Sequence, residues 1–209
     1  MRKILIVDDH RMTCLGMAIL LERVVEKAQV FFADSFMGAL AQLQTTQMEL
    51  VILDLGIPGG HGTAMIEALR KQQPDVRILV CTGRDELLFA VPYIAAGVNG
   101  FLHKSSSDEQ VLMAIGMVIE GRQYVSGLVQ QKILRDALQG HQEKNPLESL
   151  SARENQVLQL LLAGKWTKEI ADELNLKFST VSTQKTKIFQ KLAVENIVDM
   201  VRIVDRYQS

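Results

Sequence analysis

Asp8, Asp9 and Asp54 are the residues best placed to do chemistry. The first two close the apolar run Ile4–Val7, and Asp54 closes a second run, Leu50–Leu53. Carboxylates gathered at neighbouring strand ends repel one another unless a cation sits among them. Oxygen ligands with room for water suit Mg2+. One carboxylate can then act as a nucleophile toward a phosphoryl group, whose charge the cation neutralises. Thr82 follows the run Arg77–Cys81, with small Gly83 beyond it, and can offer a hydroxyl to a phosphoryl oxygen. Lys104, shortly after Gly100–Leu102, can offer an ammonium to another. An acid or lysine after a strand is ordinarily a solvated loop residue. That explanation does not account for acids, a hydroxyl and an ammonium spread over successive strand ends.

Five strand-length apolar runs must position this set: Ile4–Val7, Val30–Ala33, Leu50–Leu53, Arg77–Cys81 and Gly100–Leu102. Between them lie segments with helical spacing, such as Leu15, Ala18, Ile19 and Val25, or Val111, Ile115 and Val118. Strands alternating with helices at this pitch predict βαβ units and a parallel sheet. The expected fold is α/β, a flavodoxin-like (βα)5 domain with a five-stranded parallel sheet ending near Glu120. In the order 2-1-3-4-5 the first and third strand ends are neighbours, and ligands bind at the carboxyl ends of such strands. Pro92 interrupts the fourth helical segment, Leu87–Ala96, removing an N–H and crowding the preceding turn. That helix is expected to be kinked or to start late.

Residues 122–147 loosen into Gly, Ser, Gln, His, Asn and Pro146 around a helical patch at Val129–Leu138, which predicts a linker containing a short helix. The tail then reads as all-α with four helices. Ser151-Ala152-Arg153-Glu154 is a capping box, followed by Val157, Leu158 and Leu161 on one face, and Gly164 ends the helix. Thr167 is expected to cap a short helix carrying Ile170, Ala171 and Leu174. Phe178 or Ser179 opens a third with Val181, Ile188 and Leu192 inward, and a fourth shows Ile197, Met200, Val201 and Val204. Two short helices joined by a tight turn form a helix-turn-helix.

Charge divides the chain in the same place. Up to Ser149 there are 14 Lys and Arg against 17 Asp and Glu; from Leu150 onward there are 9 against 7. An acidic front and a mildly basic back suggest separate tasks. On a helical wheel, Thr183, Thr186, Lys187 and Gln190 lie opposite the apolar side of the third tail helix, with Ser182 at the border. From Lys177 to Lys191 there are four lysines and no acid. Such a face suits the major groove, with lysines meeting phosphates and short polar groups reaching base edges. The first residues stop being apolar at Asp8, too soon for a signal peptide, and no run approaches the roughly 18 apolar residues of a membrane span. A cytoplasmic location without membrane contact is expected, with Cys14 and Cys81 as free thiols.

Residues 1–121 resemble the receiver domain of response regulators. The residues that carry the match are Val7-Asp8-Asp9-His10, Leu53-Asp54-Leu55-Gly56-Ile57-Pro58, Cys81-Thr82-Gly83 and Gly100-Phe101-Leu102-His103-Lys104. The resemblance implies that Asp54 accepts a phosphoryl group from a partner histidine kinase. It also implies that Asp9, Asp54 and the Gly56 carbonyl hold Mg2+, with Asp8 acting through water. Thr82 and Phe101 match the family's switch pair, in which the hydroxyl moves toward the phosphoryl group and the ring swings inward.

Residues 148–209 resemble the LuxR-type DNA-binding domain of the NarL/FixJ class. Here the match lies in Leu150–Glu154, Val157-Leu158, Gly164, Thr167–Ala171, Ser179-Thr180-Val181 and Lys191-Leu192. The class uses positions corresponding to Ser182, Thr183 and Thr186 for bases. Ser179, Thr180, Lys187 and Gln190 join the DNA-binding set, Lys185 is assigned a phosphate contact at most, and Thr167 and Lys168 are assigned phosphates. The partners implied are a histidine kinase, double-stranded promoter half-sites, RNA polymerase and, on activation, a second copy of the chain. Met200 and Val204 are the candidate dimer seam. Two alternatives remain open. One is a DNA-binding regulator that needs no phosphorylation and uses the front domain for dimerisation. The other is an aspartate-nucleophile phosphohydrolase, which would want an acid at position 56, where this chain has Gly.

Overall fold

The computed structural model describes residues 1–138, 145–194 and 196–208. The chain divides into two compact units, Met1–Leu138 and Gln139–Ser209.

In the first unit, strands β1 (Arg2–Val7), β2 (Ala28–Ala33), β3 (Leu50–Leu53), β4 (Arg77–Thr82) and β5 (Gly100–His103) alternate with helices α1 (Arg11–Val24), α2 (Phe36–Thr45), α3 (Ala64–Gln72), α4 (Glu86–Ala95) and α5 (Asp108–Ile119). All pairings are parallel, in the order β2-β1-β3-β4-β5. β3 is buried along its whole length, as expected of a strand covered on both faces. Successive residues point to opposite faces, so Leu5, Val7, Val51 and Leu53 pack with α2, α3 and α4, while Ile4, Ile6, Leu50 and Ile52 pack with α1 and α5. The register pairs Val7 with Leu53 and Leu53 with Val80, so the residues that follow emerge side by side at one edge of the sheet.

Two features of the first unit bear on the sequence expectations. α4 does not start late: Asp85 caps it, accepting from the Leu87 amide at 2.8 Å, and it runs through Pro92 to Ala95. Proline has no N–H to return to the Leu88 carbonyl one turn earlier. The helical patch after residue 122 forms as α6 (Gly127–Leu138), and it packs on the first unit. Tyr124 makes an isolated bridge to Gly100, the Phe101 amide donates to the Tyr124 carbonyl at 2.9 Å, and Val129 is buried with Phe89, Ala90, Tyr93 and Phe101.

The second unit contains α7 (Ala152–Leu162), α8 (Thr167–Glu173), α9 (Phe178–Lys191) and α10 (Ile197–Gln208), preceded by a 3-10 turn at Pro146–Ser149. The capping box forms as expected, with the Glu154 amide donating to Ser151 Oγ and the Ser151 amide donating to Glu154 Oε2. Gly164 (φ 78°) turns the chain between α7 and α8, a left-handed conformation that glycine adopts without a Cβ penalty. Val157, Leu158, Leu161, Ile170, Val181, Ile188, Met200 and Val204 share one core. Met200 and Val204 therefore cannot be a dimer seam. Their i, i+4 stripe is the face by which α10 closes its own domain.

Candidate acidic site and nucleic-acid interface

The acidic site is assembled by strand register. The Asp8 amide donates to the Ala33 carbonyl of β2 at 3.0 Å and the Asp54 amide to the Val7 carbonyl of β1 at 2.9 Å, so each acid is fixed by the strand next to the one it leaves. The Lys104 amide donates to the Thr82 carbonyl at 2.8 Å, which fixes the lysine beside β4 in the same way. Asp8 and Asp54 are 6% and 5% exposed. Buried carboxylates need a charged partner, and Lys104 supplies it, with Nζ 2.6 Å from Asp8 Oδ2 and 2.7 Å from Asp54 Oδ2. Burial pulls the Lys104 pKa down, but the hydrogen bonds to Asp54 and Asp8 outweigh it, and the net direction is up. The ammonium is thereby held charged.

Asp9 is more exposed and is tied to His10, whose Nδ1 lies 2.8 Å from Asp9 Oδ1 and 3.1 Å from Asp8 Oδ1. The His10 amide also donates to Asp8 Oδ1 at 2.9 Å. Ligand atoms of Asp8, Asp9, His10 and Asp54 all lie within 4.8 Å of one another. In the sequence His10 stands directly after the paired acids, and that adjacency is the local signal for its place in the cluster. At Gly56 a Cβ would sit 3.4 Å from Asp54 Oδ2, so the backbone there passes against the carboxylate. Thr82 and Phe101 are both buried, and the Phe101 ring centroid lies 6.3 Å from that of Tyr93. Burial raises the Cys81 thiol to about 12, which keeps it out of thiolate chemistry. Asp8 and Asp9 border an open cleft of about 570 Å³ lined by Arg11, Leu15, Phe32 and Asp34.

In the second unit, Ser179, Thr180, Ser182, Thr183, Thr186, Lys187 and Gln190 are exposed along α9. Lys185 is half-buried, with its ammonium 5.4 Å from the centroid of the Phe189 ring. Thr183 Oγ1 donates to the Ser179 carbonyl at 2.9 Å, and Thr186 Oγ1 donates to the Ser182 carbonyl at 3.1 Å. Both hydroxyl protons are thus committed along the helix, and the oxygens face outward as acceptors. Trp166, not Thr167, precedes α8; its amide donates to Glu169 Oε2 at 2.7 Å, and Thr167 is the first helical residue. Lys168 is exposed beside it. Lys191, by contrast, turns inward to Glu154 Oε2 (2.6 Å) and the Ser149 carbonyl (3.0 Å).

Residues 4–116 match the family model of the response regulator receiver domain, and residues 148–204 match that of the bacterial regulatory proteins of the luxR family. Among curated proteins, the response regulator GacA of Pseudomonas aeruginosa is 29% identical over 207 residues, covering 99% of this chain and 97% of GacA. UvrY of Escherichia coli K12 is 27% identical, covering 99% and 95%. Among solved structures, RcsB of Salmonella enterica serovar Typhimurium, bound to promoter P1flhDC in the presence of phosphomimetic BeF3-, shares the fold. Its TM-score is 0.63 at 23% identity, over 97% of each chain. A LuxR-family two-component response regulator from Aurantimonas sp. SI85-9A1 is 28% identical with a TM-score of 0.59, covering 65% of this chain and 97% of that one. The chain belongs to the response regulators, with a receiver domain followed by a LuxR-family DNA-binding domain.

Proposed function

We propose that Asp54 is the phosphoacceptor, that a histidine kinase is the donor, and that phosphorylation controls DNA binding through α9. The observation that carries this is the lysine clamp, with one ammonium bonded to both Asp8 and Asp54 at the edge where strands β1, β3 and β5 end. An Asp54 carboxylate oxygen attacks the phosphorus of a phosphohistidine. The P–O bond forms as the P–N bond breaks, and the departing imidazole takes up a proton. Lys104 and the Thr82 hydroxyl receive phosphoryl oxygens, and Phe101 fills the space next to Thr82 when the hydroxyl moves.

The carboxylates fit Mg2+: Asp9, Asp54 and the Gly56 carbonyl would hold it through oxygen, with Asp8 acting through water; the three acids cluster with His10, and the backbone at Gly56 lies against Asp54. When bound, the ion neutralises phosphoryl charge that the carboxylates would otherwise repel. Position 56 offers no side chain for a second acid, which favours a switch over a hydrolase.

On the DNA side, Ser182, Thr183 and Thr186 read bases, Ser179, Thr180 and Gln190 support them, and Lys187, Lys168, Lys185 and Thr167 meet phosphates. A homodimer on paired half-sites and a cytoplasmic setting belong to the same proposal. None of the helices among the described residues is long and apolar enough to cross a membrane. Incubation with acetyl phosphate and Mg2+ tests the core of it. Wild type is expected to gain one hydroxylamine-labile phosphoryl group that Asp54→Asn lacks. Multiple turnover without a stable adduct, or equal labelling of the variant, would overturn it.

A further inference from the structure

The second unit has four described aromatic residues, and they divide sharply. Phe189 and Tyr207 pack against the domain core. Trp166 and Phe178 are 79% and 60% exposed. These two stand at the N-terminal ends of the two helix-turn-helix elements, Trp166 immediately before α8 and Phe178 as the first residue of α9. Contiguous exposed apolar patches mark contact surfaces and single side chains do not, so the setting of these two decides what they signify. Charge indicates the occupant: Lys168 and Lys177 are exposed beside these two helix starts, Lys187 is exposed further along α9, and α9 carries no acid, the acids of the motif lying on α8 at Glu169, Asp172 and Glu173. A neighbouring apolar protein surface would not call for that density of lysine, whereas a polyanion would.

We propose that Trp166 and Phe178 are DNA contacts, Trp166 against the sugar–phosphate backbone and Phe178 against a thymine 5-methyl group at the start of the recognition helix. The assignment rests on the DNA-binding reading of α9. In this motif the first helix crosses the backbone while the N-terminal residues of the second meet base edges. Trp166 suits the backbone because its indole N–H is a donor only and phosphate oxygens are acceptors only. Phe178 can donate nothing to a base. The apolar feature that the major groove offers it is the thymine methyl.

Trp166 is the chain's single tryptophan, so intrinsic emission reports on that position alone. The full-length protein would be titrated with a fluorophore-labelled duplex selected by it from a random pool, and with an unrelated duplex. Tryptophan emission is expected to change and to saturate together with the anisotropy of the labelled DNA. Trp166→Ala should weaken binding to both duplexes about fivefold or more, the scale of a contact residue. Replacing thymine by uracil in the selected duplex should cost wild type about fourfold, the worth of one buried methyl. It should cost Phe178→Ala nothing, while Phe178→Leu keeps part of the discrimination. Both side chains are exposed, so truncation opens no cavity in the core. Unchanged emission together with unchanged affinity of both variants, while wild type still binds DNA, overturns this inference and leaves the DNA-binding reading standing. Variants that bind DNA normally but fail to support transcription overturn it in favour of a polymerase contact. A wild type that binds neither duplex overturns both.

Discussion

Lys104 is the residue on which the acidic site turns, because it alone among the described residues bridges Asp8 and Asp54. Its pKa is raised, so the stabilisation is complete below the ordinary lysine value of 10.5 and fades only as pH climbs through the higher folded value. At neutral pH the clamp is therefore fully formed. Lys104→Ala leaves two buried carboxylates without a cation, and after allowance for the lysine's partial exposure the expected cost is about 1–3 kcal/mol. Mg2+ should restore much of it, so the metal-induced rise in Tm is expected to be larger in the variant than in wild type. Equal rises would show that the lysine and the metal do not answer the same charge. Thr183 gives a second residue-scale prediction. Thr183→Ala removes an outward acceptor from α9 and should weaken specific binding by about 1–3 kcal/mol while leaving non-specific binding nearly unchanged. Competitive titration against unrelated DNA measures the difference. Most of the site residues were legible because each follows an apolar run, which makes its position an extension of strand register. The Lys191–Glu154 pair was not legible, since its partners are 37 residues apart and nothing local links them.

At the scale of elements, strands and tail helices follow closely from apolar spacing, but the faces they use do not always. The stripe of Met200 and Val204 is equally compatible with a free seam and a core face, and only packing decides. Likewise the sequence places Val129 in a loosely patterned stretch and offers no local sign that α6 is pinned to α4 and β5. Gly100 is where that pinning is tightest. A Cβ there would come within 2.8 Å of Leu79 Cδ1 and 3.2 Å of the Tyr124 carbonyl. Gly100→Ala is therefore expected to destabilise the first unit by about 1–3 kcal/mol. Hydrogen exchange should show the Phe101 amide, which donates to Tyr124, losing protection first. α7 offers the complementary test by charge. Glu154 closes the capping box and pairs with Lys191, and the hydrogen bond from Lys191 is the main reason its carboxyl is held down at about 2. A depressed carboxylate contributes stability above its unfolded value of 4.5 and loses it as pH falls toward about 2. Glu154→Ala should cost the second unit about 2 kcal/mol at neutral pH, from the lost charged hydrogen bond and cap. Protection of α7 and α9 amides in wild type and variant should converge between pH 4.5 and 2, the window in which wild type loses the same interaction.

For the whole molecule, the proposed function assigns DNA affinity to the second unit, with its mildly basic balance, and the state of Asp54 to the first, with its acidic one. The sequence shows two units through charge and element type, yet not how one would govern the other, because coupling does not follow from local pattern. Salt dependence discriminates between the possible couplings. Each phosphate neutralised contributes about −0.9 to the slope of log K against log salt concentration on duplex DNA. A monomer using Lys168, Lys185 and Lys187 therefore has a shallow slope, and a dimer placing the same lysines on two half-sites has twice it. Beryllofluoride with Mg2+ is expected to convert the protein to a dimer and roughly to double the slope on a paired site, while Lys187→Ala lowers it by about 1 per subunit in either state. Sedimentation and fluorescence anisotropy across a salt series measure both quantities on the same samples. Higher affinity at an unchanged slope would mean that activation exposes a monomer's recognition helix instead, and the dimer would then have no part in the switch.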